Sequence, residues 1–517
     1  MKYRSTRGGD AGLSFEQALF SGLSPDGGLY IPDTIPAVSL ETLRRWSSLS
    51  FAALAAEIFR LYIDASEIPD ADLLDITTRS YAAFDTDLVT PLVKLPSTRP
   101  DNADPEWDRL YLLELFHGPT FAFKDVALQT LGNFFEYFLV RNAQRTAAGA
   151  QGLTTKITVV GATSGDTGSA AIYGLRGKKN VELFMLHPEG RISPVQYQQM
   201  ATVTDANIHN ISITGTFDDC QEVVKGLFLD PEFRQQYALA AVNSINWARI
   251  LAQMTYYFSA FFQLLRLHNI AGDQLTAESL APLQFVVPTG NFGDILAGYY
   301  AVRMGLPAAQ LVVATNTNDI LHRFFQTGVY AKKAPGAADA QVKHTLSPAM
   351  DILVSSNFER LLWYLLRGDG RAAASSTAGG ETDTERDARA SATLAELMAS
   401  LRETGAFTVP EGVLARAREL FDSCAINNAR TSQTIRTYYH AGAQPGVGHM
   451  ILDPHTAVGV AAAHDSVQSA ILDAKDAQVD TMTDAEAAPR AVMTTVCLST
   501  ASPGKFADAV CDAVNSD

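Results

Sequence analysis

Lys124 is the side chain whose neighbours most strongly favour a chemical role. It lies in the run Phe116 to Asp125, FHGPTFAFKD, which contains three phenylalanines. An ammonium group among aromatic side chains loses hydration, so its neutral amine forms more easily and can attack a carbonyl. These are the properties of a lysine that forms a Schiff base. A structural alternative stays open, in which the lysine methylenes cover apolar surface and the charge stays in water.

A glycine-rich loop follows the predicted strand Ile157 to Val160. The loop, Gly161 to Ser169, reads GATSGDTGS and leads directly into a helix pattern. Backbone N–H groups and hydroxyls at the positive end of a helix dipole can bind an anion. No lysine follows the last glycine, which argues against a Walker A loop. The alternative is a glycine-rich turn in which Ser or Asp caps the helix.

A second loop of this kind, Pro288 to Asp294, reads PTGNFGD and precedes the helix pattern that starts at Ile295. Its backbone amides can converge on a phosphate at a helix N-terminus. Two anion-binding loops and one activated lysine favour pyridoxal phosphate chemistry. The lysine would form the Schiff base, one loop would bind the cofactor phosphate, and the other would bind the carboxylate of an amino-acid substrate.

These residues must be positioned by an α/β framework. From about Ser14 to Phe84 the pattern predicts a small helical region with no obvious chemistry. Beyond Pro96, short β-branched runs alternate with amphipathic helix patterns, which indicates parallel sheets with ligands beyond the carboxyl ends of the strands. The runs predict buried strands at Ile157 to Val160, Val181 to Leu186, Gln284 to Val287, Leu311 to Ala314 and Thr494 to Leu498.

Two stretches of biased composition, Gly368 to Ala392 and Asp465 to Pro489, predict solvated loops or short surface helices.

The chain has 517 residues and a net charge of -16, which argues against a nucleic-acid partner. Its four cysteines are widely spaced, and no CxxC or HExxH motif occurs, so no metal centre is expected. With no signal peptide and no apolar run of membrane-spanning length, we expect a soluble cytoplasmic protein.

Five runs closely resemble those of the threonine synthase family, in its longer branch, and the resemblance covers nearly the whole chain. The runs are FHGPTFAFKD, GATSGDTG, PTGNFGD, SINWARILAQMTYYF and DPHTAVG. The resemblance implies an α/β, tryptophan-synthase-β-like fold, fold type II of the pyridoxal phosphate enzymes. It implies a helical region at 1–95, a small domain at 156–245 and a large domain built from 96–155 and 246–517, with the cofactor in the cleft between the two domains.

The resemblance also implies the reaction, in which O-phospho-L-homoserine and water yield L-threonine and phosphate, and roles for single residues. Lys124 would form the Schiff base and carry protons. Thr500 would face the pyridine nitrogen, and Asp166 would share a proton with the ring hydroxyl. The cofactor phosphate would be bound by Gly290, Asn291, Phe292, Gly293 and Asp294, with Asp294 also capping the next helix. The substrate carboxylate would be bound by Thr163, Ser164, Gly165 and Thr167.

The substrate phosphate requires cations that these loops do not supply. Arg191 and Arg249 are the best candidates, because guanidinium binds phosphate bidentately. Ser193 and Asn246 could add hydrogen bonds. Arg249 also begins a long helix pattern, so a surface ion pair with a carboxylate is an alternative.

One departure from the family pattern concerns the segment after Thr500. The family reads His-Pro-Ala where this chain has Ser502-Pro503-Gly504, which removes a histidine that could act there as an acid or base. His117 and His455 are expected to be structural, because each lies beside glycine or proline.

Two other functions compete with the one implied. A serine or threonine dehydratase acting by β-elimination would not need a second phosphate site, and a related protein could bind pyridoxal phosphate or phosphorylated ligands without turnover. The expected partner is a small-molecule substrate. No nucleic acid, membrane or obligate protein partner is expected, and the protein is expected to be a monomer or a small homo-oligomer.

Overall fold

Parallel strands form the two main sheets of the computed structural model, which describes residues 1–97, 109–163, 165–276, 279, 282–368, 381–441, 449–480 and 493–515. Backbone contacts divide the chain into two units. Unit 1 comprises Met1–Pro36, Leu49–Val89 and Leu115–Tyr256, and unit 2 comprises Ala37–Ser48, Thr90–Glu114 and Tyr257–Asp517. The division into a helical region and two functional domains stays a prediction.

The strands in the described part of the chain are β1 (Tyr3–Ser5), β2 (Tyr30–Pro32), β3 (Leu92–Lys94), β4 (Leu110–Glu114), β5 (Ile157–Ala162), β6 (Val181–Pro188), β7 (Ile208–Ile213), β8 (Leu239–Ala240), β9 (Leu283–Pro288), β10 (Ala308–Thr315), β11 (Val329–Ala331), β12 (Ala406–Thr408), β13 (Phe421–Ala425) and β14 (Thr494–Ser499). Each of the strands predicted from the sequence is present, extended by one to four residues because edge positions also join the ladders.

The α-helices in the same part of the chain are α1 (Phe15–Ser21), α2 (Leu40–Trp46), α3 (Phe51–Tyr62), α4 (Asp70–Tyr81), α5 (Lys124–Ala147), α6 (Asp166–Leu175), α7 (Pro194–Ala201), α8 (Phe217–Leu229), α9 (Pro231–Gln236), α10 (Trp247–Leu267), α11 (Gly293–Met304), α12 (Ile320–Thr327), α13 (Phe358–Arg367), α14 (Asp383–Glu403), α15 (Glu411–Arg418), α16 (Asn428–Ala441), α17 (Pro454–Asp480) and α18 (Ala507–Asn515).

Unit 1 contains a four-stranded sheet in the order β7-β6-β5-β8, and all of its pairings are parallel. Because parallel strands end at the same edge, the segments that follow β5 and β6 lie side by side. The backbone continues this pairing beyond β5, where the Thr163 N–H donates to the Leu186 carbonyl at 2.9 Å. The edge therefore carries the first glycine-rich loop and the 190–193 segment.

Unit 2 contains a six-stranded sheet in the order β13-β10-β9-β14-β4-β3. Its pairings are parallel except for β3, which runs antiparallel to β4. All six residues of β9 are buried, as expected for a central parallel strand with helices on both faces. Since β9 and β14 are neighbours, the second glycine-rich loop and Thr500 emerge at the same edge. The predicted α/β class with two parallel sheets is confirmed.

The N-terminal helical region, predicted without chemistry of its own, packs on α5 within unit 1. Phe15 of α1 meets Phe134 of α5 edge to face at 5.1 Å, and Phe59 of α3 lies 5.9 Å from the same ring. Phe20 stacks on Phe135 at 5.7 Å. Aromatic pairs of this kind add to the burial energy of a core. The N-terminal helices therefore hold the helix that begins at Lys124.

The two stretches of biased composition form longer helices in their described parts than the sequence predicted. Residues 381–392 were expected in a solvated loop or short helix, but Asp383 begins the 21-residue helix α14, which Thr382 caps through its side chain. Asp465 to Asp480 likewise belong to the 27-residue helix α17. Alanine-rich, charged sequence has high helix propensity, and a supporting surface extends such helices. The remaining parts of both stretches, 369–380 and 481–489, lie outside the described residues.

Helices α5 and α6 cross at two glycines that allow their backbones to touch. An ideal Cβ on Gly132 would lie 1.9 Å from the Gly174 carbonyl oxygen. We expect Gly132→Ala to lower the free energy of unfolding by about 1–3 kcal/mol, because the two backbones must separate. Gly226→Ala in α8 is the matched control, since nothing lies within 4 Å of its ideal Cβ.

The control should raise the free energy of unfolding by about 0.5–1 kcal/mol, because alanine costs less entropy than glycine in a helix. Urea denaturation of the two variants measures both changes. Equal stabilisation by the two substitutions would contradict the close crossing of α5 and α6.

Candidate active site

Lys124 is the first residue of α5 and is 8% exposed. Its Nζ lies 5.6 Å from the centre of the Phe123 ring and 3.4 Å from Asp166 Oδ2. The alternative in which its charge stays in bulk water is therefore wrong. A largely desolvated amine beside one carboxylate can be held in place while protons are exchanged nearby.

The turn before Lys124 is fixed by Asp125. This carboxylate is fully buried and accepts hydrogen bonds from the Thr120 backbone N–H at 2.8 Å and the Thr120 hydroxyl at 2.7 Å. An ideal Cβ on Gly118 would lie 2.5 Å from the Asp125 Cβ. Phe121, within the same turn, has a left-handed φ of 57°. These contacts determine where α5 begins and so where the Lys124 amine lies.

Asp166 occupies the first turn of α6, where a negative charge is stabilised by the helix dipole. Its two oxygens bind different partners, Oδ2 facing Lys124 and Oδ1 accepting from Gln196 Nε2 at 2.9 Å. Gln196 was not identified from the sequence as a residue of the site. The S-x-x-Q pattern from Ser193 to Gln196 is a capping-box signal that places Gln196 in the first turn of a helix, but it does not identify Asp166 as its partner.

The first glycine-rich loop is shaped by the Thr163 hydroxyl. Oγ1 of Thr163 accepts from the backbone N–H groups of Gly165 and Gly168, each at 2.9 Å. Gly168 has no room for a side chain, because an ideal Cβ would lie 2.4 Å from Thr163 Cγ2. Gly165, Asp166 and Thr167 are thereby brought together at the start of α6. Ser164 lies outside the described residues.

The second glycine-rich loop is bound through its carbonyl oxygens. The Gly290 carbonyl accepts from the Ser355 hydroxyl at 2.7 Å, and the Asn291 carbonyl accepts from the backbone and side-chain nitrogens of Asn357, each at 3.0 Å. Phe292 has a left-handed φ of 61° and is the N-cap residue of α11. The loop is thus fixed before any ligand binds.

The backbone N–H groups of the same loop, unlike its carbonyl groups, are not used in hydrogen bonds within the described residues. Within the described ranges, no hydrogen bond is donated by the backbone N–H of Gly290, Asn291, Phe292 or Gly293. They occur consecutively at the N-terminus of the 12-residue helix α11. Consecutive N–H groups at a helix N-terminus form an anion site and suit a phosphate group. This donor set fits the phosphate of a cofactor.

The predicted capping role of Asp294 is wrong, because the N-cap of α11 is Phe292 and Asp294 lies inside the first turn. The hydroxyl of Tyr257 donates to the Asp294 backbone carbonyl at 3.0 Å and to its Oδ1 at 3.2 Å. Burial, and then the Asp294 charge, raise the pKa of Tyr257 well above its ordinary value. Asp294 therefore stabilises the start of α11 through its charge and through Tyr257.

Thr500 follows β14 and is 6% exposed. Its backbone N–H donates to Thr456 Oγ1 at 3.3 Å, and the Ser499 hydroxyl lies 3.0 Å from the same oxygen. No hydrogen bond of the Thr500 hydroxyl itself occurs among the residues that the structure covers. The Ser499 hydroxyl is thus engaged within the protein, whereas that of Thr500 is available to a ligand.

His455 and His117 have structural surroundings. His455 Nδ1 binds Asp453 Oδ1 at 2.8 Å, and Nε2 accepts from the Ala349 backbone N–H at 3.1 Å, which sets its tautomer. His117 Nδ1 binds Asp85 at 2.8 Å. That neither histidine is catalytic stays a prediction.

Arg249 lies in the first turn of α10 and is 4% exposed. Its Nη1 donates to the Val242 carbonyl at 2.9 Å, and Nε has no hydrogen-bond partner in the described part of the chain. Burial lowers the pKa of the guanidinium to about 10, so it is still charged at neutral pH. The alternative of a surface ion pair is wrong, because the side chain is not at the surface.

The other residues predicted to contact the substrate phosphate differ in their surroundings. Arg191 is exposed in the segment after β6. Ser193 caps α7, where its hydroxyl accepts from the Gln196 N–H at 3.2 Å. Asn246 is fully buried, donating to the Leu19 carbonyl at 2.9 Å and accepting from the Ala248 N–H at 3.1 Å. These two bonds fix the orientation of the Asn246 amide, and its contact with the substrate phosphate stays a prediction.

Over the described ranges, no group of three or more His, Cys, Asp or Glu side chains has the arrangement of a metal site. No helix in that part of the chain has the length and apolar character required to cross a membrane.

Comparisons with known proteins identify the family of this chain. Family models match residues 2–81, described as threonine synthase N terminus, and residues 84–379, described as pyridoxal-phosphate dependent enzyme. Threonine synthase of Saccharomyces cerevisiae is 50% identical over 516 residues, covering 99% of this chain and 89% of the relative.

Solved structures extend the likeness to the fold. The yeast threonine synthase crystal structure matches with a TM-score of 0.81 and 49% identity, over 100% of this chain and 90% of that one. The pyridoxal-phosphate-bound enzyme of Brucella melitensis matches with a TM-score of 0.78 and 39% identity, covering 100% and 92%. The predicted family and fold type are confirmed: this chain belongs to the threonine synthase family of pyridoxal-phosphate-dependent lyases.

Proposed function

We propose that this protein converts O-phospho-L-homoserine and water to L-threonine and phosphate with pyridoxal 5'-phosphate as its cofactor. The observation that carries the proposal is the buried amine of Lys124, 3.4 Å from Asp166 in a chain with threonine synthase relatives. When bound, the cofactor supplies an electron sink that stabilises negative charge on substrate carbons. The steps below concern what the protein's own residues contribute.

Lys124 would hold the cofactor through its aldehyde, and the Lys124 amine would move protons at Cα and Cβ of the substrate. Its low exposure keeps bulk water away from these transfers. Asp166 holds the amine in position and would share a proton with the cofactor ring hydroxyl, because two facing anionic oxygens would repel. The Thr500 hydroxyl would bind the pyridine nitrogen as a neutral partner and so would leave this nitrogen largely unprotonated.

The anionic groups of the ligands are bound by the two glycine-rich loops and the arginines. The N–H groups of residues 290–293 bind the cofactor phosphate, with Asp294 supporting their helix. The loop at 163–167 binds the substrate carboxylate, with Thr163 holding its shape. Arg191 and Arg249 bind the substrate phosphate and stabilise the charge that develops on it as it leaves, and Ser193 and Asn246 add hydrogen bonds.

Steady-state release of phosphate and formation of threonine test the proposal. The purified protein with pyridoxal phosphate should release one phosphate for each threonine formed. Efficient deamination of serine without turnover of the phosphorylated substrate would instead identify a dehydratase. Cofactor binding with no turnover of either substrate would identify a binding protein.

The cellular setting is part of the proposal. A small-molecule substrate requires no nucleic acid, membrane or obligate protein partner, so we infer a cytoplasmic monomer or small homo-oligomer. Light scattering coupled to size-exclusion chromatography measures the oligomeric state, and cell fractionation measures the compartment.

Replacement of Thr500 tests its role at the cofactor ring. Thr500→Val keeps the side-chain shape and removes the hydroxyl, whereas Thr500→Asp adds a charge that favours ring protonation. We expect the Asp variant to lower kcat by about tenfold or more and to change the visible spectrum of the bound cofactor. Ser499→Ala is the control, because the Ser499 hydroxyl binds Thr456. Wild-type turnover and spectra for both Thr500 variants would remove Thr500 from the site.

A further inference from the structure

Gln196 binds the carboxylate beside Lys124 and has no role in the reaction described above. It is 7% exposed in the first turn of α7. Its Nε2 donates to Asp166 Oδ1 at 2.9 Å, while Asp166 Oδ2 lies 3.4 Å from Lys124 Nζ. One carboxylate is thus held on two sides by side chains from two different helices.

The other polar end of Gln196 binds the start of its own helix. Oε1 accepts from the Ser193 backbone N–H at 3.4 Å, and Ser193 Oγ accepts from the Gln196 N–H at 3.2 Å, which completes a capping box. The same amide therefore connects the 190–193 segment, which carries Arg191, to the carboxylate beside Lys124.

Gly165 provides the space for this connection. An ideal Cβ on Gly165 would lie 2.2 Å from Gln196 Oε1. The Gly165 φ of 142° is also one that side chains rarely adopt. A glycine at position 165 is therefore needed both to leave room for the contact between Gln196 and Asp166 and to form the turn of the loop.

We propose that Gln196 is a positioning residue that orients Asp166 toward Lys124 and makes that orientation depend on the 190–193 segment. A neutral amide can fix one carboxylate oxygen without adding charge, while the second oxygen faces the lysine at 3.4 Å. When Arg191 and Ser193 bind the substrate phosphate, a shift of the 190–193 segment moves Gln196 through the capping box. Gln196 in turn reorients the Asp166 carboxylate, to which it is hydrogen-bonded. The inference rests on the proposed function for the roles of Lys124 and Arg191.

The effect of a new charge at position 196 depends on the titratable groups near the start of α6. Helices α5 and α7 and strand β6 pack against α6. Near its start they carry Lys124 and Asp125 of α5, His187 of β6 and Tyr197 of α7. Asp125 is bound to Thr120, and Tyr197 is exposed. A second carboxyl at position 196 would be a new titrating group beside Asp166.

Gln196→Glu separates positioning from helix capping. Glutamate at this position keeps the capping box but has no N–H to donate to Asp166. Two adjacent carboxyls share a proton at low pH and repel each other at high pH, and their added charge favours the protonated form of the nitrogen of Lys124. We expect the pH midpoint of the visible absorbance of the lysine-bound cofactor to rise by about one unit, with an unchanged unfolding midpoint at pH 6.

The kcat of Gln196→Glu should vary with pH in parallel with the absorbance of the lysine-bound cofactor. We expect kcat of Gln196→Glu to fall about tenfold at pH 8 and to recover toward pH 6. Gln196→Met, which removes both hydrogen bonds, should lower kcat without this new pH dependence and should also lower the unfolding midpoint. Gln198→Glu adds the same charge at an exposed position of α7 and should leave the absorbance titration and kcat unchanged.

A wild-type absorbance titration and pH profile for Gln196→Glu would overturn the inference. So would an identical shift in Gln198→Glu, because the effect would then be long-range charge alone. The absorbance titration needs no substrate, so it separates this inference from the proposed function. The proposed function fails when the wild type binds the cofactor but releases no phosphate from O-phosphohomoserine.

Discussion

Lys124→Ala is expected to lower the turnover of O-phosphohomoserine by about 10³-fold or more, because one amine both binds the cofactor covalently and carries protons. The variant should keep some cofactor, since the N–H groups of residues 290–293 are unchanged and bind its phosphate. Its visible absorbance should therefore shift toward that of the free aldehyde. Phosphate release and absorbance spectroscopy measure the two effects.

Covalent labelling makes the assignment specific. Borohydride should attach the cofactor to the peptide that contains Lys124 in the wild type, and should leave Lys124→Ala unlabelled. Lys156→Ala is the matched control, because Lys156 is an exposed lysine paired with Glu182 at 3.3 Å. This control should be labelled and active like the wild type. A label on another lysine, or wild-type turnover of Lys124→Ala, would show that the amine has a different role.

Arg249→Lys is expected to raise the KM for O-phosphohomoserine by about 10- to 100-fold, with a smaller effect on kcat. Burial lowers the pKa of Arg249 only to about 10, so at pH 7 the guanidinium remains a buried cation. A buried charge is costly unless an anion pairs with it, and a phosphate would fit the planar fork of a guanidinium. Lysine keeps the charge but cannot bind in this bidentate way.

A ligand-binding measurement separates this effect from a loss of stability. Inorganic phosphate, a product of the reaction, should raise the unfolding temperature of the wild type and have less effect on Arg249→Lys. Arg191→Ala should raise KM by about tenfold, less than the buried arginine, because an exposed charge is screened. Arg176→Lys is the control, since Arg176 forms an exposed ion pair with Asp205 at 2.8 Å. Equal KM values for Arg249→Lys and this control would remove Arg249 from the phosphate site.

Local sequence predicted the elements that carry the site because their signals are local. The predicted strand from Gln284 to Val287 contains three consecutive apolar residues, and glycine and asparagine mark the turn that follows it. The apolar flanks of Lys124 similarly indicated its burial. Five short runs with family-specific residues were sufficient for the family, because close packing around a cofactor permits few substitutions.

Other features depend on residues that are distant in the chain. Asp294 was expected to cap α11, but its partner Tyr257 lies 37 positions earlier and changes its role. Asn246 binds Leu19 across 227 positions, a contact that the sequence did not indicate. For Arg249 the sequence favoured phosphate but left a surface ion pair open, and only its burial excluded the surface ion pair.

The sequence by itself therefore determined the fold class and the family, and it predicted the reactive lysine and the two anion-binding loops, because each follows from residue type, short-range periodicity or motif spacing. The tertiary structure decided which donors remain available to a ligand. Hydrogen-bond partners such as Gln196 for Asp166, 30 positions apart, come together only when α6 and α7 pack. A side chain's chemical role depends on which of its atoms the rest of the protein has already bound, and packing alone sets that.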